Sequence, residues 1–168
     1  MGESKLYFDN HKNNKVILVD FDNTICVDEW PYVGPLIPYA IDVLKKLKKS
    51  GHTLILYTQR SNNFPICCNE LRKYANEHHE LVNNNCVDIL TPVINFLKEN
   101  GIEFDDINGN KEWETITGDN SRKVFNDFVI DDHNLGIHYN EALNSNNELC
   151  KIVDWKSIDK LCKKIGLY

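Results

Sequence analysis

Three apolar runs in this chain do not alternate: "VILV" at 16–19, the "LIL" of "HTLILYT" at 52–58, and "FVI" at 128–130. A strand with one wet face alternates apolar and polar residues, so an unbroken run marks a strand covered on both faces. Helical patterns lie between them. From Pro38 to Ser50, Ala40, Ile41, Leu44 and Leu47 recur at helical spacing, and Gly51 supplies the stop. "DILTPVINFLKENG" reads the same way, with Gly101 as its cap. "IEFDDIN" is a short strand or extended link, "SRKVFND" a helix end or loop, "CKIVDW" a last strand and "KSIDKLCKKI" a last helix. Strands alternating with helices predict an α/β fold, a three-layer Rossmann-like parallel sheet with helices on both faces.

The chain has 168 residues, which fits one domain at 15–168 behind a polar N-terminal arm at 1–14, with a short strand at "KLYF". "EWPYVGPLI" at 29–37 is a loop punctuated by Pro and Gly. Only one helix and one strand fit between Asp20 and Thr58, so no full cap domain is expected there. The longer stretch from Thr58 to Lys123 leaves room for a small helical insert around 61–87 at the crevice rim.

The runs end on chemistry. The first closes on Asp20-Phe21-Asp22, the second on Thr58, and the third on Asp131-Asp132. In open parallel sheets the ligand crevice lies at the carboxyl ends of the strands. Four carboxylates gathered there repel one another, and burying them is costly without compensation. A cation is the usual compensation. Mg²⁺ favours carboxylate, carbonyl and water, and binds through one or two carboxylates plus substrate phosphate. Thr58 adds a hydroxyl donor, and Lys123 a point cation just before the last acidic strand. A nucleophile, a proton donor, a metal and phosphate-binding donors suit phosphoryl transfer.

"DFDNT" at 20–24, Thr58 in "LILYTQR", Lys123 in "SRK" and "VIDD" at 129–132 together resemble the four ordered motifs of the haloacid dehalogenase-like (HAD) superfamily. A closer likeness is to a small capless group with a "YPxIG…P.A" loop and an "SRK…IDDRN" ending. Here these read "WPYVGPLIPYA" and "SRKVFNDFVIDDHN", with His133 where that group has Arg. The resemblance implies a hydrolase, a Mg²⁺-dependent phosphatase working through an aspartyl-phosphate. It makes Asp20 the nucleophile and a metal ligand. Asp22 becomes the general acid/base, its backbone carbonyl also on the metal. Thr58 binds the phosphoryl oxygens, Lys123 holds Asp20 and the phosphate, and Asp131 and Asp132 serve the metal. The division between those last two stays open. An acid at Asp22 favours phosphate-ester chemistry over dehalogenase or phosphonatase chemistry. Gln59 and Arg60 follow Thr58 and are candidate substrate contacts, although Arg60 pairs equally well with an acid. Trp30 and Tyr32 either line the entrance or pack beneath their loop.

A phosphorylated small molecule is the expected substrate, and an open site also admits a phosphorylated macromolecule. A net charge of −6 argues against a broad nucleic-acid surface, although a nucleotide or nucleic-acid-end phosphatase remains an alternative. The other alternative is a non-catalytic binding or regulatory protein on the same fold. No apolar run approaches the roughly 20 residues of a membrane span. The polar start "MGESKLYFDNHKNN" lacks the apolar core of a signal peptide. A cytoplasmic protein with its six cysteines as free thiols is expected, and no membrane partner. Vicinal Cys67-Cys68 and His78-His79 do not have zinc-ligand spacing.

Overall fold

The structure, a computed structural model, describes Tyr7, residues 13–118 and residues 123–168. Four strands form its central sheet: β1 (Val16–Val19), β2 (Thr53–Leu56), β6 (Asp106–Ile107) and β7 (Phe128–Ile130). They lie in the order β6-β2-β1-β7, all parallel, with Ile17 opposite both Leu54 and Phe128 and Leu56 opposite Ile107. This is a mixed α/β fold whose parallel sheet is flanked by helices, compatible with a Rossmann-like arrangement.

Side chains of the central strands alternate between two apolar layers. Ile17, Val19, Leu54 and Leu56 face α1 (Ala40–Lys49), α3 (Thr91–Glu99) and α5 (Trp155–Lys164). Val16, Leu18 and Ile55 face Tyr7 and Val124, with Trp113 and Ile116 of α4 (Lys111–Thr117) packed against them. That double cover is why the runs at 16–19 and 53–56 carry no polar residue at every second place. In α1, Ala40, Val43, Leu44 and Leu47 are buried while Lys46, Lys48 and Lys49 occupy the last turn, where cations suit the helix dipole. Fully burying each Leu contributes roughly 1.5–3 kcal/mol. Asp88 caps α3 by accepting from the Leu90 and Thr91 N–H groups (2.9 and 2.8 Å). Gly101 ends it at φ +75, a conformation that glycine adopts without strain.

Two elements differ from the sequence reading. The strand at 149–153 does not join the parallel sheet. It is β9 (Leu149–Val153), paired antiparallel with β8 (Tyr139–Leu143) as a separate hairpin. The stretch 61–87 is also not purely helical. It holds β3 (Phe64–Pro65), β4 (Val82–Asn83) and β5 (Cys86–Val87) in a small antiparallel sheet, with α2 (Asn69–Glu77) and a single 3₁₀ turn. It has its own apolar cluster, built on Leu71, Tyr74 and Val87. The expected strand at "KLYF" lies outside the described residues except at Tyr7. That residue is helical, buried and edge-on to Trp113 and Phe125, so the arm is anchored at this point. All six cysteines are free thiols. No helix among the described residues is long and apolar enough to cross a membrane.

Candidate active site

The ladder hydrogen bonds run past the strand ends and carry the polar residues with them. Asp20 N–H donates to Ile130 O (3.0 Å), which sets Asp20 beside Asp131. Tyr57 N–H donates to Val19 O (2.9 Å), which sets Thr58 on the other side of Asp20. Thr58 N–H donates to Asn108 Oδ1 (2.8 Å), just beyond β6. Phe21 is wholly buried, so alternation turns its neighbours Asp20 and Asp22 to the opposite side. Asn23, at φ 54, then closes a tight turn in which the Ile25 and Cys26 N–H groups donate to Phe21 O.

Asp20, Asp22, Thr58, Gln59, Arg60, Asp131 and Asp132 line one open cavity of about 810 Å³. Asn23, Asp28, Trp30, Tyr57, Phe64, Asn108 and His133 complete its lining. Lys123 is exposed and does not line it; Ser121 and Arg122 of the "SRK" motif lie outside the described residues.

Burial, resisted by the Phe21 N–H and reinforced by Asp131, Asp22 and Asp132, pushes the Asp20 carboxyl up to about 7. Burial also raises Asp132, although its contact with His133 (Nδ1 to Oδ1, 2.9 Å) opposes the shift. Among the described residues, Asp131, Asp132 and His133 bring potential ligand atoms within 4.8 Å of one another. Asp20 is not in that set. The donors are hard oxygens with one imidazole beside them, a chemistry that fits Mg²⁺.

Thr24 joins the two acidic strand ends. Its buried hydroxyl donates to Asp20 Oδ2 (3.3 Å) and accepts from the Asp132 N–H (3.0 Å). Its carbonyl accepts the Trp155 indole N–H (2.5 Å), which ties the turn to α5. The "DFDNT" motif contains this threonine, yet no sequence argument gave it a part, because its role depends on a segment over a hundred residues away.

Arg60 is also defined by the fold. It is buried, and its Nε and Nη2 donate to both oxygens of Asp22 (2.9 and 2.7 Å). Nη1 donates to Pro31 O (2.7 Å) and Nη2 also to Tyr32 O (2.9 Å), while the guanidinium lies over the Phe21 ring. One side chain therefore fixes the Asp22 carboxylate and the 30–32 loop together. Gly34 permits that loop to fold back, because a Cβ there would fall 2.0 Å from Val27 O. Trp30 and Tyr32 separate: Trp30 lines the cavity, whereas Tyr32 packs on Tyr74 and donates to Glu77 (2.6 Å) in the 61–87 segment.

The chain resembles, over most of its length, the structure of a conserved protein from Bacteroides thetaiotaomicron. The two are 29% identical, the match covers 91% of this chain and 93% of that one, and the TM-score is 0.57. No family model matches the chain, and no curated protein does.

Proposed function

We propose that the chain is a Mg²⁺-dependent phosphatase of the haloacid dehalogenase-like type, which hydrolyses a phosphate monoester through a phosphorylated Asp20. The supporting observation is the convergence of four carboxylates and the Thr58 hydroxyl, from three strand ends, on one cavity in which burial and the neighbouring carboxylates push the Asp20 carboxyl up. Asp20, the Asp22 carbonyl, Asp131 and Asp132 would hold Mg²⁺, which supplies positive charge to Asp20 and to the phosphoryl oxygens.

Asp20 Oδ attacks phosphorus, and the bond from phosphorus to the ester oxygen breaks. Asp22 gives its proton to the departing alkoxide. A water then attacks the aspartyl-phosphate as Asp22 takes a proton from it, and the Asp20–phosphorus bond breaks. Asp20 and Asp22 end as they began, with water consumed and alcohol and phosphate released. Arg60 holds Asp22 through one lone pair on each oxygen. Each oxygen keeps a second lone pair to carry the transferred proton. The Thr58 hydroxyl accepts from the Arg60 N–H (3.2 Å), which orients its proton for a phosphoryl oxygen.

The test is hydrolysis of a generic aryl phosphate by wild type and Asp20→Asn, each with Mg²⁺ and with chelator. Turnover confined to wild type with Mg²⁺ is expected. Absence of turnover across a phosphomonoester panel, in protein that binds Mg²⁺, would favour a binding protein instead.

A further inference from the structure

The cavity is lined by more than the groups that the proposed phosphoryl chemistry uses. Part of its wall is aromatic: Trp30, Tyr57 and Phe64 line the same space as the carboxylates, beside the polar Asn23, Asp28, Asn108 and His133. They come from three separate segments, namely the loop after β1, the end of β2 and the first strand of the 61–87 segment. Trp30 and Phe64 meet edge-on, with centroids 5.8 Å apart and planes at 67°. Both are only partly buried, so ring surface is left for a ligand.

This wall is built before a ligand arrives. The Trp30 N–H donates to Asp28 Oδ1 (2.9 Å), and the next two carbonyls are held by Arg60. Phe64 is paired across β3–β5 with Val87. A preformed aromatic surface binds flat rings at low ordering cost. Charge narrows the choice further. Asp28 lines the cavity beside Trp30 and has no part in the phosphoryl chemistry, so an anionic leaving group would be repelled there.

We infer that the site takes a monoester whose alcohol portion is uncharged and carries a planar aromatic ring, seated against Trp30 and Phe64. This rests on the phosphatase reading of the same site. The ring has two possible sources, a nucleobase or a simple arene.

Two matched pairs on the Mg²⁺-loaded protein test it and separate the sources. Benzyl phosphate against cyclohexylmethyl phosphate varies the ring at nearly constant size and leaving-group basicity. Adenosine 5′-monophosphate against ribose 5-phosphate adds or removes a base. The ring-bearing member is expected to lead in kcat/KM by about fivefold or more in at least one pair, and that pair identifies the source. Ratios below about fivefold in both pairs overturn the inference while leaving the phosphatase reading intact. Trp30→Leu and Phe64→Leu should collapse the ratio; a ratio that survives in the folded variants also overturns it. Binding of the same compounds to Asp20→Asn, followed by calorimetry, is independent of turnover. Ring-selective binding that is lost on adding Trp30→Leu supports the aromatic seat even if no compound is hydrolysed, an outcome that sinks the phosphatase reading alone.

Discussion

Arg60 and Asp22 show how far one side chain's meaning depends on its neighbours. A guanidinium two residues past Thr58 suits a phosphate contact, yet four of its N–H bonds are directed at Asp22, Pro31 and Tyr32. Arg60→Met should leave the Asp22 carboxyl and two carbonyls without their donors. We expect a loss of about 3 kcal/mol by urea denaturation, and Asp22→Asn in the same background should recover part of it. A double variant as unstable as Arg60→Met would show that the pair is not coupled. Asp20 gives a pH prediction with a definite sign. Its folded carboxyl titrates near 7 against 3.8 unfolded. Between those values the metal-free native state keeps a proton that the unfolded chain releases, so the contribution of Asp20 to stability is fullest below about pH 4 and is lost as pH rises through 7. Asp20→Asn lacks this loss and should gain on wild type by up to about 4 kcal/mol across that window, levelling off above it. A difference that is flat with pH in chelator would refute the assignment.

Secondary structure was legible where one layer of packing decides it. β1, β2, α1, α3 and α5 follow from apolar runs and helical spacing, because a covered strand has to be apolar at every position; β7 also forms at its apolar run, but Phe128 and Val129 are exposed, so that strand is not covered on both faces. The β8–β9 hairpin was not foreseen. Its strands are mostly exposed, so hydrophobicity gives them little signal, and "CKIV" alone looks like another sheet strand. The overlooked cue was "NSNN": Asn147 turns at φ 61 and Asn144 N–H donates to Glu148 O. The hairpin tip is held by Glu29, whose carboxylate accepts from the Ser145 N–H and hydroxyl. The 61–87 segment, with its own apolar cluster, should open separately from the sheet. Leu71→Ala is expected to cost roughly 2–4 kcal/mol. Native-state hydrogen exchange should show it as faster exchange within α2, with the β1 and β2 amides keeping their protection. Equal loss in both regions would mean a single cooperative unit.

For the molecule as a whole, the governing quantity is the free energy of four carboxylates brought together at the carboxyl ends of the strands. Folding assembles this cluster, so a cation that relieves it must also stabilise the fold. Mg²⁺ at about a hundredfold its dissociation constant should add about 2.7 kcal/mol, read as a Tm rise of several degrees at pH 7.5. Asp132→Asn should reduce that rise. An equal rise in the variant, or none in wild type, would remove Asp132 from the metal site.

Residue order alone locates the covered strands β1 and β2 and the more exposed β7, with Asp20, Thr58 and Asp131 at their ends. These follow from local rules: apolar runs favour strands, and the chain leaves a parallel sheet at the strand's carboxyl end. It takes the assembled fold to pair Arg60 with Asp22, to set Thr24 between Asp20 and Asp132, and to draw β9 out of the sheet into a hairpin. Each of these depends on which polar groups meet across long separations. A hydrogen-bonding side chain takes whatever partner the fold brings within about 3 Å, and no local pattern of residue types encodes that distance.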